Sequence, residues 1–250
     1  MPFVCVVTVL GLFLSGCYRQ AAPDLGGLPQ EPTASQSDVP AERPNDRRYD
    51  VVDSSLLVKV YRAGRLAKLG HNHVIEAPVF GSFSFSEQRV SADLFVRPAD
   101  LVVDLPQTRA LHGDQFSKPV KADDVEGTRG NLLSEKVLNP LVHPFIRARI
   151  ESVVTNSEMI SVNFELAGQQ TTREVKITPL SNDACSPKFQ GEVTLSHADF
   201  GLTPFSILGG AVSVQEDFDV SFEIAGVRTD KGDDRCQSLI PVSSKSQRLP

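Results

Sequence analysis

The middle of the chain alternates apolar and polar residues with a period of two. The alternation is clearest in EDFDVSFEIAG, where Phe218, Val220, Phe222 and Ile224 share one face of an extended strand. It recurs in SLLVKVYR, GSFSFSE, VSADLFVR, IRARIESVV, ISVNFELAG, TREVKITP and FQGEVTLSH. This pattern is typical of antiparallel strands that bury one face. About eight such strands close well into a barrel, so we predict an all-β fold: an antiparallel eight-stranded barrel that can hold one small ligand.

The outward-facing positions of these strands are polar and often acidic, as at Asp217, Asp219 and Glu223. A barrel that spans a membrane needs an apolar outer band, so this pattern argues against one. The chain carries a formal net charge of -6 and has no cluster of Lys and Arg interleaved with aromatic residues. Nucleic acid is therefore not an expected partner.

One segment between the strands, residues 121–139, breaks the alternation. Its apolar residues recur at helical spacing: Leu132, Leu133, Val137 and Leu138. Pro140 ends the run, because proline cannot continue a helix. We therefore expect a short helix between strands that lies across one end of the barrel.

The two ends of the chain lack the strand pattern. Residues 1–16 are mainly apolar, with the length of a signal-peptide core but too few residues to span a bilayer. The tetrapeptide Leu14-Ser15-Gly16-Cys17 resembles a bacterial lipobox, so we expect a lipoprotein signal peptide and a lipid anchor on Cys17. An ordinary cleaved signal with a coincidental cysteine is the alternative. The expected divisions that follow are a flexible tether at residues 17–48, the barrel at residues 49–226 and an irregular tail at residues 227–250.

Two cysteines are left for the folded part of the chain, since Cys5 would leave with the signal and Cys17 would carry lipid. In an exported protein, the remaining Cys185 and Cys236 suggest a disulfide. It would close a loop of about 50 residues, which the chain-entropy model values at about 4 kcal/mol. Two free thiols are the alternative.

Five stretches occur in a suggestive order along the chain. They are YDVVDSSLLVKV, GHNHVIEAPVFGSFSFS, NLLSEKVLNPLVHPFIRARIESV, FELAGQQTTREVKI and HADFGLTPFSILGGAVSVQEDFDVSFEIA. Together they resemble the YceI-like family of exported lipid- or polyisoprenoid-binding proteins, over about Tyr49 to Gly226. The resemblance implies a lipocalin-like barrel that binds an isoprenoid, a quinone or a fatty species as its ligand and needs no cofactor.

The chain departs from the common pattern of that family at three positions. Gly130-Asn131 stands where the family often has Arg-Asp, and His143 replaces a tyrosine before Pro144. His197 lies near a position where the family has arginine. These positions are polar parts of family pockets, so the resemblance implies a ligand that differs. The doubled GHNH is similar to a less characterised branch.

Two of the five histidines lie in the GHNH stretch. In an extended strand His71 and His73 would face the same side, which permits a metal, but zinc takes three or four ligands and no third lies close in sequence. His197 has the parity of apolar Val193 and Leu195, so we expect its ring inside the barrel. The expected ligand-binding residues are His71, Asn72, His73 and His197, with Asn131, His143, Phe205 and Phe222 as further candidates.

The sequence thus predicts an exported, non-catalytic carrier or storage protein, lipid-anchored in the periplasm of the bacterial envelope, with the outer membrane favoured. Its expected partners are the apolar ligand and the membrane, and a homodimer stays open. Two other hypotheses remain: a metal-dependent hydrolase that uses His71 and His73, and a packed barrel that acts as an interaction module. The sequence has no G-x-S-x-G motif. Asp104, Asp114 and Asp123-Asp124 are expected on solvated loops.

Overall fold

The computed structural model describes residues 22–32, 47–86, 89–153, 159–229 and Cys236. The strands in this part of the chain are β1 (Arg47–Ala63), β2 (His73–Pro78), β3 (Phe80–Phe85), β4 (Arg89–Val96), β5 (Val102–Val103), β6 (Ile146–Val153), β7 (Met159–Leu166), β8 (Gln169–Ser181), β9 (Lys188–Ser196), β10 (Ser206–Ile207) and β11 (Val212–Arg228). Helices α1 (Pro106–Ala110) and α2 (Ala122–Leu132) lie between β5 and β6.

Eight of these strands close into an antiparallel barrel in the order β1-β3-β4-β6-β7-β8-β9-β11. The ring closes where β1 pairs with β11, from Tyr49 opposite Arg228 to Ala63 opposite Ser213. These are the eight strands that the alternation predicts, so the expected all-β, lipocalin-like barrel is confirmed. The short strand β2 lies directly before β3 in the chain, separated from it by Val79. It pairs with the second half of β1 and with β5.

The barrel has two ends that differ in structure. The helix end, as we call it, carries residues 64–72, 97–145 and 197–211, together with the β7–β8 turn. The disulfide end carries the β8–β9 turn, where Cys185 forms a disulfide with Cys236. Tyr49 also donates a hydrogen bond to the Ala184 carbonyl oxygen at 3.1 Å, so that the start of β1 holds the same turn.

The helix end is closed by apolar side chains from the long β5–β6 connection. Leu133 and Leu138 are buried there with Leu101. The α-helix ends at Leu132, earlier than the apolar spacing predicts, and the Leu138 amide then donates to the Leu132 carbonyl at 3.1 Å. Leu133 and Leu138 both reach the core because the chain turns sharply between them. A continued helix would have no such turn.

Part of the expected tether packs on the barrel. Within residues 22–32, Ala22 and Leu25 are half-buried against the core, and the Gln30 side chain accepts a hydrogen bond from Arg97. This differs from a fully flexible tether because the two apolar side chains find partners in the folded domain. Among the described residues, no helix is both long enough and apolar enough to cross a membrane. Cys17 lies outside the described residues.

Candidate functional site

The interior of the barrel is an apolar cavity of about 270 Å³. Inward-facing side chains of alternating positions line it, including Leu56 and Val58 of β1 and Val162 and Phe164 of β7. The strand β11 contributes Phe218, Val220, Phe222 and Ile224, the residues that the alternation places on one face. At the helix end Leu101, Leu132, Val137 and Leu138 form the cavity wall. The interior is therefore hollow rather than filled by its own side chains.

A glycine allows one aromatic ring to lie flat against the wall. Gly191 of β9 is the cross-strand partner of Phe222, and a Cβ atom at Gly191 would overlap the Phe222 ring. Any larger residue at this position would push the ring toward the centre of the cavity. The width of the cavity at this level thus depends on Gly191.

Three polar residues border the cavity: Arg147, Glu165 and His197. Arg147 donates to Asp93 at 2.6 Å, and Glu165 accepts from Arg149 at 3.4 Å, so both are held in ion pairs. His197 is held by a contact with the backbone instead of an ion pair. Its Nδ1 atom lies 2.7 Å from the Glu216 carbonyl oxygen, which holds the ring in place. Its ring meets Phe218 edge-on at 5.1 Å between centroids.

A second, polar pocket of about 230 Å³ adjoins the cavity at the helix end. Its polar lining residues are Glu135, Lys136, Asn139, His143 and Gln169. Val137, Phe200 and Leu202 line both spaces, so three apolar side chains form the shared wall. We call this second space the polar pocket. An apolar space next to a polar one can accommodate the two parts of an amphiphile.

His143 is positioned in the polar pocket by the turn between β7 and β8. Gly168 has a φ of +77° there, and a Cβ atom on it would lie 2.7 Å from Cε1 of His143. A glycine is therefore required both for the backbone conformation and for the approach of the imidazole. The His143 amide also donates to the Asn139 carbonyl at 2.8 Å, which ties together two lining residues.

Asn72 of the GHNH stretch has a structural role. Its Oδ1 accepts from the Arg62 amide at 3.0 Å, and its Nδ2 donates to the Gln115 carbonyl at 3.1 Å. The side chain is buried and thereby joins the end of β1 to the segment that follows α1. Neither Asn72 nor its two histidine neighbours borders the cavity or the polar pocket.

His73 belongs to a buried ion-pair network. Its Nδ1 atom lies 2.6 Å from Oδ2 of Asp104, and Oδ1 of the same carboxylate accepts from Arg109 at 2.5 Å and from the Val74 amide at 3.0 Å. The Asp104 side chain has no accessible surface. The sequence suggested a solvated loop for Asp104, and this expectation is wrong. The carboxylate is buried, and the two basic side chains His73 and Arg109 compensate the cost of its burial.

The network determines the charge of Asp104. Burial alone raises the pKa of its carboxyl group, but the hydrogen bond and charge of His73, with the Val74 amide and Arg109, outweigh burial and leave the pKa lowered. Arg109 also donates to the carbonyl oxygens of Asn72 at 2.7 Å and Lys118 at 2.9 Å. From the sequence, the GHNH stretch is expected to contact the ligand. In the structure its Asn72 and His73 instead connect segments of the helix end.

His71 lies beside the network, with its ring centroid 6.3 Å from that of His73. Burial, followed by the positive charge of Lys118, lowers the pKa of His71. The described residues contain no group of three or more His, Cys, Asp or Glu side chains that could hold a metal ion. A lowered pKa favours the neutral imidazole at neutral pH.

The other sequence candidates are distributed unevenly. His197 and Phe222 line the cavity and His143 lines the polar pocket. Asn131 is half-buried in α2, and Phe205 is exposed on the loop before β10; neither borders either space. Sequence reasoning missed the polar pocket. Glu135 and Lys136 lie within the segment predicted to be helical, but nothing in their pattern indicates that they share a pocket with His143.

The fold and the two spaces define a lipocalin-like barrel with an apolar interior and a polar side pocket. No protein-family model matches the chain, and no curated protein sequence matches it. Solved structures similar to it include BcnA of Burkholderia cenocepacia, at 9% identity over 69% of this chain and 95% of that chain, with a TM-score of 0.46.

Two further solved structures are also similar to the chain. One is a polyisoprenoid binding domain from Saccharophagus degradans implicated in plant cell wall breakdown, at 11% identity over 72% of this chain and 98% of that chain, with a TM-score of 0.46. The other is the YceI protein of Campylobacter jejuni, at 10% identity over 61% of this chain and 82% of that chain, with a TM-score of 0.40. YceI-like proteins are thus among its structural neighbours, and this is the family that the sequence motifs resemble.

Proposed function

We propose that this protein binds an amphiphile, with the apolar chain in the barrel cavity and the polar head in the polar pocket. The observation that carries the proposal is the cavity of about 270 Å³ enclosed by aliphatic and aromatic side chains. Such a space favours an apolar chain, because burial removes the chain from water. The five YceI-like motifs point to the same class of ligand.

The cavity volume limits the length of chain that it holds as it stands. A methylene group occupies about the volume of a water molecule, about 30 Å³. A cavity of 270 Å³ therefore holds on the order of nine such groups. At about 0.8 kcal/mol each, their burial contributes about 7 kcal/mol before the costs of ordering. A longer isoprenoid chain would require the cavity to widen or the chain to extend beyond it.

The polar pocket favours a head group without net charge. It contains one acidic and one basic side chain, Glu135 and Lys136, and three side chains that are not permanently charged, Asn139, His143 and Gln169. A pyrophosphate would be held by several cations, preferably with the paired hydrogen bonds of arginine. Hydroxyl and carbonyl groups, as in a quinol or quinone, match this mixed set of donors and acceptors better.

We further propose that the protein is exported, anchored by lipid on Cys17 and held in the periplasm, with the outer membrane favoured, and that it acts as a carrier or store rather than an enzyme. The lipobox-like tetrapeptide after an apolar run supports the anchor. The disulfide between Cys185 and Cys236 supports export, because such bonds persist in oxidising compartments. A role without catalysis is supported by the apolar character of the site.

Native mass spectrometry of the full chain purified from its host tests this function, with organic extraction and elemental analysis of the same sample. We expect a bound apolar species with an uncharged head and no metal. Ala148 lines the cavity, so Ala148→Trp should remove that species. The matched variant Ala122→Trp, at an exposed position that starts α2, should retain it.

Two outcomes would overturn the proposal. Protein with one zinc per chain and no lipid would favour the hydrolase hypothesis, in which His71 and His73 are ligands. Wild-type protein and both variants with neither lipid nor metal, each at the mass of its own polypeptide alone, would favour an interaction module. Circular dichroism of both variants establishes that a lost ligand does not reflect a lost fold.

A further inference from the structure

Two loops at the helix end expose large apolar side chains that the cavity does not use. One loop connects β1 to β2 and the other leads from β9 through β10 to β11. The exposed fractions are 44% for Leu66, 66% for Leu69, 47% for Phe205, 39% for Ile207 and 68% for Leu208. Grouped apolar side chains at this level of exposure often mark a surface that contacts a membrane or another protein.

The two loops lie side by side. The Leu66 amide donates to the Ala211 carbonyl at 2.7 Å, and a Cβ atom on Gly64 would lie 2.7 Å from the Gly210 carbonyl oxygen. The β10 strand folds back on the start of β11. There the Phe205 carbonyl oxygen accepts a hydrogen bond from the Val214 amide at 2.9 Å. The exposed leucines and aromatic residue therefore belong to one surface. We call it the loop patch, formed by residues 64–72 and 201–211.

The charge of the loop patch is opposite to that of the whole chain. Arg65, directly before Leu66, and Lys68, directly before Leu69, are both exposed. Neither residues 64–72 nor residues 201–211 contain an Asp or Glu, although the chain as a whole has a formal net charge of -6. Lys118 adds a third cation, since its Nζ donates to the carbonyl oxygens of Lys68 and Gly70 at 3.2 and 3.4 Å. Apolar side chains flanked by cations match an anionic lipid surface.

We propose that the loop patch docks on a bilayer of anionic phospholipids, with the helix end of the barrel facing the lipid. A second copy of the chain fits the patch less well, because a two-fold contact would bring Arg65 and Lys68 of one copy against those of the other. Docking in this orientation places the polar pocket, which lies at the same end, close to the membrane. The proposal rests on the loops alone and holds whether or not the cavity binds an amphiphile.

The chain contains no tryptophan, so a single introduced tryptophan reports on its own surroundings. Leu208→Trp places this reporter in the loop patch. Leu180→Trp is the matched control, because Leu180 is 45% exposed on β8 near the disulfide end. Both full-length variants are mixed with vesicles that contain phosphatidylglycerol and brominated phosphatidylcholine, and with vesicles of brominated phosphatidylcholine alone. A lipid anchor would tether both variants equally, so the comparison isolates the docking surface.

We expect Leu208→Trp to shift its emission to the blue and to be quenched by the brominated anionic vesicles, while Leu180→Trp changes little. Adding Arg65→Glu and Lys68→Glu to the first variant should weaken its vesicle binding, by about fivefold for each lost cation. High salt should have a similar effect, because it screens surface charges.

Other outcomes would overturn the proposal. Equal quenching of both tryptophans would show adsorption without a preferred face, and no quenching of Leu208→Trp would show that the patch does not enter lipid. Equal quenching by zwitterionic vesicles would remove the role of Arg65 and Lys68. A blue shift without vesicles that grows with protein concentration would assign the patch to a contact between copies.

Discussion

The cavity volume predicts how affinity depends on the chain length of a ligand. In a series of straight-chain primary alcohols, each added methylene should strengthen binding by about 0.8 kcal/mol, or about fourfold in Kd. The gain should stop near nine carbons, because about nine methylene-sized groups fill 270 Å³. Isothermal titration calorimetry of the full chain, with alcohols from about six to about twelve carbons, measures the break in this series.

A smaller cavity should move that break to shorter chains. Ala148 lies opposite Phe164 and borders the cavity, and Ala148→Leu adds three carbons there. These occupy about 90 Å³, so the break should move to about six carbons, and the longest alcohols should lose about 2 kcal/mol. Ala122→Leu adds the same three carbons at an exposed position and should leave the series unchanged.

Two results would refute this reasoning. Affinity that rises through the longest alcohol would show that the cavity widens on binding, so that the volume of the empty barrel does not limit the ligand. A break that Ala148→Leu leaves in place would show that the chain binds outside the space that Ala148 borders.

Two further predictions concern ionised groups. Asp104→Asn should cost about 3 to 5 kcal/mol at neutral pH, because it breaks a buried ion pair, whereas the half-exposed Asp100→Asn should cost less than about 1 kcal/mol. Since the folded-state pKa of Asp104 is lowered, its contribution to the free energy of unfolding is present above the unfolded pKa near 3.9 and is lost as pH falls further. Equal urea midpoints for Asp104→Asn and wild type at neutral pH would contradict the stabilising role of Asp104. Burial and then the hydrogen bond to Asp219 raise the pKa of Tyr61 to about 12, so stability from this group should be lost as pH rises from about 10 to 12. Tyr61→Phe should be less stable by about 1 kcal/mol at neutral pH, and a stability difference that stays constant up to pH 12 would contradict the shift.

The strands of the barrel could be predicted from the sequence because each strand carries its own evidence. In β11, Phe218 to Ile224 alternate with charged and hydroxyl side chains, and the parity decides which side chains face inward. The same local parity correctly placed His197 and Phe222 at the cavity. Parity did not indicate the role of His73, which is the first residue of β2: its side chain meets Asp104, which lies 31 residues later in the sequence, and the pair is buried at the helix end.

The sequence by itself thus determined the class of fold and the inward set of each strand, because hydrophobic burial acts on every strand with the same period of two. Only the tertiary structure decided whether the interior is hollow, since the cavity depends on how side chains from eight strands meet across the barrel. It also decided that Glu135 and Lys136 share a pocket with His143 and Gln169, and that the two exposed loops form one patch. These arrangements join residues that are distant along the chain, and no local pattern records which distant segments barrel closure brings into contact.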